Sequence, residues 1–314
     1  MLNRRHIRIK VMQTLYAFDG SESDDFKKEE KFLLQSLEHM YDLYLMQLSL
    51  LIEIQKRAED HQEKIQKKHL ATQEEKNPNK KFVNNEILQL LKNNEPLKNE
   101  LENRKIDFWY LDFEYIEIIY KAILESDLYK EYMSTRTSDV NQDKIFIVDV
   151  FSEIIAPNDK LYEYIEDKKL TWIDDLPVIN TILQKLLRKV KKSSTDFHFT
   201  PKLYKDEEDR DFARDLFKKT LLNRSKFNEE ISKKTVNWDS DRIANLDAIL
   251  LQMAICEFQK FPSIPTKVTI NEYLEIAKEY STPKSSIFIN GILDKIVKEY
   301  TEEGKLNKIG RGLM

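Results

Sequence analysis

Four cationic side chains, Arg4, Arg5, Arg8 and Lys10, precede the first acidic residue of the chain, Asp19. Guanidinium groups fork onto phosphate oxygens and stack on bases, so clustered arginines favour binding to RNA. On a helix Arg4 and Arg8 lie one turn apart, with Arg5 beside both. The spacing leaves two interpretations open: an RNA-binding surface, or a positively charged helix end that is simply solvated.

The element that must position these cations is an amphipathic helix. The apolar strip of this helix is expected to be buried and comprises Ile7, Val11, Leu15 and Phe18. The adjacent strip is expected to be exposed and comprises Arg5, Arg8, Met12 and Tyr16. An arginine-rich, acid-poor amphipathic start is also typical of a mitochondrial presequence, although Arg8 and Lys10 interrupt any apolar h-region.

The rest of the sequence contains no recognisable catalytic or metal-binding pattern. The five histidines form no HExxH motif and no zinc-type pairing with cysteine. With five glycines, the chain has neither a GxGxxG fingerprint nor a P-loop, and it has no GxSxG elbow. Glu272, Glu275 and Glu279 form a carboxylate row at helical spacing, which is typical of a solvated face. We therefore expect no enzymatic activity, no cofactor and no metal.

Composition predicts a cytoplasmic, all-α protein without a membrane span. The 314 residues carry 55 acidic and 51 basic side chains, a net charge of −4, and 41% are hydrophobic. Mean hydropathy is −0.59, and no run of 18 apolar residues exists. Cys256 lies in the apolar stretch ILLQMAICEF and is expected to be buried. Because it is the single cysteine of the sequence, no disulfide can form within the chain. Scarce glycine also disfavours sheets.

Apolar periodicity predicts helices along most of the chain. A long second helix runs into a charged stretch, and further helices lie near residues 84–103, 110–133, 143–156, 178–192, 208–235, 241–260, 266–280 and 284–300. Pro265 is expected to precede one helix, and Thr282 to cap another with Pro283 in its first position. Gly291 lies inside the last helix, whose wide apolar stripe predicts a central position. Close approach by a neighbouring helix would compensate for this glycine.

A faint internal repeat relates residues 146–175 to residues 212–241. At this offset thirty positions contain nine identities, where about two are expected from residue frequencies. One interpretation is that two helix pairs share a packing plan, each closed by a tryptophan against the phenylalanine of its own unit. The other is that amphipathic helices commonly share aromatic spacing. The pairs that carry the first interpretation are Phe151/Phe217 and Trp172/Trp238.

The opening residues RRHIRIKVMQTLYAF resemble the arginine-rich first helix of the NusB family of bacterial transcription antitermination factors. Four later segments are similar to the C-terminal helices of that family, in order: DFARDLFKKTLLNRSKFNEEI, RIANLDAILLQMAICEF, IPTKVTINEYLEIAKEY and IFINGILDKI. The resemblance covers Arg4–Phe18 and Glu208–Tyr300, about a third of the chain. Because residues 19–207 exceed the usual connection, the chain resembles a NusB with a large helical insertion.

This resemblance implies an all-α fold of two small helical bundles without catalytic activity. It implies binding of the boxA sequence of nascent RNA together with NusE, the ribosomal protein that also serves as a Nus factor. The complex would join NusA and NusG on RNA polymerase and support antitermination, chiefly of ribosomal RNA operons.

The resemblance also implies functional residues position by position. The implied RNA-binding residues are Arg4, Arg5, Arg8, Lys10, Lys284, Ser285 and Phe288, and the implied NusE-binding residues are Tyr16 and Asp247. The chain departs from the family pattern at several of these places. His6 replaces a common arginine, Lys284 replaces an acid, and Ile287 replaces a basic residue. Ala248 and Gln252 replace the two arginines of the family's LDRxxLR segment.

The expected organisation has five parts: residues 1–25 as the arginine-rich core helix, 26–105 as a long helix and charged linker, 106–200 as an inserted helical bundle, 201–302 as the C-terminal bundle, and 303–314 as a flexible tail. Two alternatives to antitermination remain. One is an RNA-binding arm that serves ribosomal RNA modification or maturation. The other is a protein-binding scaffold whose insertion is the active surface.

Overall fold

The computed structural model describes residues 1–21, 25–69, 72–235 and 244–313. Within these ranges every regular element is helical, which confirms the all-α prediction. The chain divides into two compact units, one formed by Met1–Leu37 with Leu203–Met314 and the other by Glu38–Lys202. Each helix in the described ranges is either too short or too polar to span a lipid bilayer.

The described ranges contain α-helices along most of their length. In chain order they are α1 Arg4–Gly20, α2 Phe26–Gln66, α3 Gln73–Lys76, α4 Glu86–Lys92, α5 Glu95–Arg104, α6 Phe108–Leu111, α7 Phe113–Glu125, α8 Asp127–Tyr132, α9 Val140–Val150, α10 Asp159–Lys168, α11 Thr171–Lys189, α12 Glu207–Leu222, α13 Arg224–Lys234, α14 Asn245–Lys260, α15 Thr266–Tyr280 and α16 Ser285–Glu302. A π-helical turn, Phe151–Ile155, continues α9, and short 3-10 turns span Asp196–Phe199 and Gly310–Leu313.

The central helix of the first unit is α14. It packs against α1, α12, α13, α15 and α16. Its own apolar side chains are buried on all sides of the helix: Ile249, Leu250, Leu251, Met253, Ala254, Ile255, Cys256 and Phe258. A helix that is apolar all round is stable only when other elements enclose it. The prediction that the last helix is central was wrong, because α16 presents an exposed face that includes Gly291.

The ends of α15 and α16 agree only partly with the sequence predictions. Pro265 directly precedes α15, which confirms its expected place. The expected cap at Thr282 was wrong, because α16 begins at Ser285 with Lys284 at the N-cap and no side-chain cap bond. The close helix approach expected at Gly291 was also wrong, since a methyl group added there would meet no described atom within 4 Å.

Polar residues divide several predicted helices into shorter ones. The predicted helix near 84–103 is broken where the Asn94 side chain accepts a hydrogen bond from the Leu97 amide, at 2.8 Å. The predicted helix near 110–133 is broken in the same way, where Ser126 Oγ accepts from the Tyr129 amide at 3.1 Å. Asparagine and serine side chains compete with the helical backbone in this way and start a new helix.

The second unit contains most of α2 and a core rich in aromatic residues. Two of these aromatic side chains are fixed by hydrogen bonds from their indole nitrogens: Trp109 Nε1 donates to Ser49 Oγ at 2.9 Å, and Trp172 Nε1 donates to the His39 carbonyl at 2.8 Å. Trp172 is buried, and its ring packs edge-on against Phe108. The packing of Trp172 on Phe151 that the repeat implies stays a prediction. Trp238, the matching tryptophan, lies outside the described residues.

The C-terminal tail lies against the end of α14. Lys308 Nζ donates to the carbonyls of Glu257 and Phe261, both at 3.1 Å, and the Ile309 amide donates to the Pro262 carbonyl. Both carbonyls already accept a backbone amide, from Phe261 and Ile264 respectively, so the lysine adds a further donor at the end of α14. This part of the tail, which was expected to be flexible, therefore lies against the central helix in the structure.

Candidate nucleic-acid interface

A groove of about 760 Å³ lies beside the start of α1, within the first unit. The start of α12 and the segment from Ser263 to Glu272 complete its walls. Its charged lining residues are Arg4, Arg5, Arg8, Lys205, Asp206, Glu208, Asp209 and Glu272. These four cations and four carboxylates balance, so the arginine cluster is not the unopposed positive surface that the sequence predicted.

Arg8 lines this groove, but only 3% of its side chain is exposed. Its Nε and Nη2 donate to the two oxygens of Glu257 at 2.6 and 2.9 Å, a bidentate pair. Burial by itself lowers the pKa of Arg8, but the charge and hydrogen bonds of Glu257 raise this pKa above its ordinary value. Arg8 is therefore a charged residue of the core, and the prediction that it lies on an exposed strip was wrong.

Glu257 is the buried centre of a polar network. Besides the two Arg8 bonds, its carboxylate accepts hydrogen bonds from the Thr269 hydroxyl at 3.0 Å and the Tyr273 hydroxyl at 2.8 Å. Burial, followed by the charge of Glu257, raises the pKa of Tyr273 well above its usual range. A buried charge needs such complete pairing. The sequence did hold a signal, because Glu257 is the only charged residue between Ile249 and Phe258 and a charge there requires a partner.

Arg5 forms a second bidentate pair, with Glu272 of α15. Its Nε and Nη2 donate to the carboxylate at 3.0 and 2.8 Å, and this hydrogen bonding raises the pKa of Arg5. Glu272 also lies 3.6 Å from Arg8 Nη1, so it is not the solvated member of a carboxylate row that the spacing predicted. Burial opposes the effect of these arginines on Glu272, yet its pKa is lowered overall.

Arg4 pairs with the first turn of α12. Its Nε donates to Asp209 Oδ1 at 2.8 Å, and its Nη2 lies 3.6 Å from Glu208. The Arg4 side chain remains 33% exposed and that of Arg5 38% exposed. These two guanidinium groups can therefore reach a ligand in the groove while they keep their carboxylate partners.

Two neighbours of these arginines do not offer a charge to the groove. Lys10, which the resemblance implied as an RNA-binding residue, is buried and does not line the groove. His6 belongs to a helix cap: its amide donates to Asn3 Oδ1 at 3.0 Å, and its Nδ1 accepts from the Asn3 amide at 3.3 Å. This reciprocal pattern is a capping box and fixes the first turn of α1.

Asp247 and Ser285 meet in a buried cluster at the turn between α15 and α16. The Asp247 carboxylate accepts from Ser281 Oγ at 2.6 Å and from Ser285 Oγ at 2.7 Å, and Thr282 Oγ1 lies 2.8 Å from Ser285 Oγ. Because both Asp247 and Ser285 are buried, the structure does not present them to a partner or to RNA. They hold the turn in place instead.

The remaining implied residues lie nearer the surface. Lys284 is exposed at the start of α16, Phe288 is partly buried, and Ile287 between them is exposed. Tyr16 is exposed on α1. In the described ranges, no group of three histidine, cysteine, aspartate or glutamate side chains is placed to hold a metal ion.

Comparison with known proteins connects this architecture to one family. Residues 181–298 match the model of the NusB family. The transcription antitermination protein NusB of Salinibacter ruber is 46% identical over 112 residues, which cover 36% of this chain and 70% of that protein. The NusB of Chloroherpeton thalassium is 42% identical over 105 residues (33% and 50%), and that of Koribacter versatilis 41% over 100 residues (32% and 68%). No solved structure matches the chain.

The family match includes only part of the candidate interface. Asp247, Lys284, Ser285 and Phe288 lie within residues 181–298, whereas the cations of α1 lie outside them. The turn between α15 and α16 is thus part of the matched region. The groove beside α1 is identified by its geometry.

Proposed function

Because the chain belongs to the NusB family, we propose that it is a transcription antitermination factor that binds boxA-type RNA together with the ribosomal protein NusE. The observation that carries the proposal is the 46% identity to a transcription antitermination protein NusB over 70% of its length. In this proposal the complex joins NusA and NusG on RNA polymerase during transcription of ribosomal RNA operons.

The proposed RNA contacts are Arg4 and Arg5. Their guanidinium groups line the groove and remain about one third exposed, and each keeps free N–H donors for phosphate oxygens. Arg8 acts as a positioning residue, since its pair with Glu257 fastens α1 to α14 and so fixes the direction of its neighbours.

The proposed contacts at the other helices are fewer. Lys284 offers an exposed cation at the start of α16, and the buried Asp247–Ser285 cluster holds it there. Phe288, partly buried one turn further on, supports the same surface. Tyr16 is the exposed residue that we assign to contact with NusE.

The balanced charge of the groove has a consequence for affinity. A phosphate that approaches Arg4 or Arg5 also meets Asp209 or Glu272, which already neutralise these cations. Fewer counterions are released than for two free arginines, so the salt dependence of binding is shallower. We therefore expect the chain alone to bind RNA weakly and to bind it more tightly when NusE is present.

The test is the affinity of the full-length chain for boxA RNA and for an RNA of the same composition in shuffled order, with and without NusE. The proposal predicts preference for boxA and tighter binding with NusE. Equal binding of both RNAs would favour a role in ribosomal RNA maturation. Absence of RNA binding under both conditions would contradict the proposal and favour a protein-binding scaffold.

A further inference from the structure

The second unit exposes four large apolar side chains on two turns. Tyr110 and Leu111 of α6 are 86% and 80% exposed, Phe113 at the start of α7 is 63% exposed, and Leu170 between α10 and α11 is 71% exposed. We refer to these four residues as the apolar patch. Exposed apolar surface of this kind commonly marks a site of protein interaction, because removal of apolar side chains from water favours association.

The two turns that form the apolar patch lie side by side. Asp112 Oδ2 accepts a hydrogen bond from Lys168 Nζ at 2.7 Å, and the Phe108 ring packs edge-on against Trp172, with centroids 5.9 Å apart. Lys168 and Trp172 flank Leu170 in the chain. Contacts on both sides of Leu170 therefore bring its turn next to the turn that carries the other three residues.

The apolar patch is held outward by buried neighbours. Trp109, between Phe108 and Tyr110, is buried and donates to Ser49 Oγ at 2.9 Å. The Trp109 ring also packs against Tyr164, whose hydroxyl donates to Asp112 at 2.8 Å. These anchors in the core hold the backbone of α6, and Tyr110 and Leu111 lie on its outer side.

Exposed charges around the apolar patch are mainly acidic. The nearby exposed acids are Asp107, Glu114, Glu166, Asp167 and Asp174, and the nearby bases are Lys105, Lys168 and Lys169. Lys168 is neutralised by Asp112, and Lys169 Nζ lies 5.0 Å from the centre of the Trp172 ring. Even without Asp174, the four other acids outnumber the two remaining lysines, Lys105 and Lys169. This excess of negative charge repels RNA and anionic lipid, and it opposes a second copy of the same surface.

We propose that the apolar patch is a docking surface for a basic amphipathic segment of a partner protein. Apolar side chains of that segment pack on Tyr110, Leu111, Phe113 and Leu170, and its lysines or arginines face the acidic rim. This inference gives the second unit a role that is separate from RNA binding by the first.

The test uses the full-length chain and a synthetic amphipathic helical peptide of leucine and lysine as the probe. The variant Tyr110→Ser/Leu111→Ser removes the centre of the patch. Leu222→Ser is the matched control, because Leu222 is 72% exposed in the first unit. We expect the patch variant to weaken peptide binding about tenfold or more and the control to leave it unchanged. A peptide of leucine and glutamate should bind the unmodified chain no more tightly than the leucine–lysine peptide binds the patch variant.

A second variant keeps the test independent of the apolar substitutions. Asp107→Lys/Glu114→Lys reverses two rim charges and should also weaken binding of the leucine–lysine peptide. Because both acids lie at helix starts, the thermal melt should fall by about a few degrees at most. Equal loss with Leu222→Ser, or no loss with either patch variant, would overturn the proposal. So would a monomer–dimer equilibrium that the patch variant abolishes, since the occupant would then be a second copy.

Discussion

Removal of the Arg8 charge should destabilise the first unit strongly. The variant Arg8→Met keeps the apolar stem and removes the guanidinium group, which leaves the Glu257 carboxylate with only its Thr269 and Tyr273 donors. The Arg8 side chain is 3% exposed and that of Glu257 is fully buried. Loss of one partner from a buried ion pair costs about 3–5 kcal/mol, because the other charge stays buried in the protein interior without compensation.

The size of the thermal shift follows from the size of the unit. The first unit holds about 150 residues, for which 1 kcal/mol corresponds to roughly 2–4 °C, so the melting temperature should fall by about 6–20 °C. The double variant Arg8→Met/Glu257→Gln should recover part of this loss, since no unpaired buried charge remains. Circular dichroism during thermal or urea unfolding measures both.

A surface arginine serves as the control. Arg214 forms an exposed pair with Asp211 on α12, and Arg214→Met should change the free energy of unfolding by no more than about 1 kcal/mol. If Arg8→Met proved as mild as this control, the buried pair would not hold α1 in place and the assignment of Arg8 as a core residue would be wrong.

Four further predictions concern other parts of the first unit. Gly291→Ala should raise the free energy of unfolding by about 0.5–1 kcal/mol in a urea melt, because the site is open and alanine favours the helix; a loss would contradict the open site. Asp247→Ala should cost about 1–3 kcal/mol, because two serine hydroxyls lose their acceptor; a neutral result would refute the cluster. Burial lowers the pKa of Lys308 to about 8, whereas the value in the unfolded chain is about 10.5. Between these two pH values the unfolded state binds more protons, so docking of the tail should strengthen as the pH rises. An NMR titration in which Nζ titrates near 10.5 would show an undocked tail. Burial raises the pKa of Cys256 to about 12, so a thiol reagent at pH 8 should react only as fast as the protein unfolds; rapid reaction in the folded state would contradict its burial.

The sequence predicted the elements whose signals are local. Ile7, Val11 and Leu15 repeat at helical spacing and all are buried on α1, because periodicity depends only on neighbours along the chain. The breaks at Asn94 and Ser126 were missed because these residues also occur inside helices. Whether such a side chain caps a new helix depends on where the next helix packs.

The sequence did not predict which cations are exposed, because their partners are distant in the chain. Arg8 meets Glu257 249 positions later, and Arg5 meets Glu272 267 positions later. A single amphipathic strip also implied one buried side for α1, whereas its buried residues include Ile9 and Met12 as well. Helical spacing predicts which side chains share a face of the helix. How many other helices pack around that helix depends on the tertiary structure.

The salt dependence of RNA binding tests the division between RNA-contacting and structural arginines most directly. Affinity of the full-length chain for boxA RNA, with NusE present, is measured between about 50 and 200 mM salt for the unmodified chain, for Arg4→Gln/Arg5→Gln and for the control Arg214→Gln. We predict that the double variant binds more weakly and that its log–log slope falls, but by less than the value of about 1.4 expected for two free phosphate contacts at ~0.7 each. Its melting temperature should fall by no more than about a few °C, because the arginines of both lost ion pairs are partly exposed. The control should match the unmodified chain. An unchanged affinity and slope in Arg4→Gln/Arg5→Gln would contradict the account, because the groove beside α1 would then not be where RNA binds.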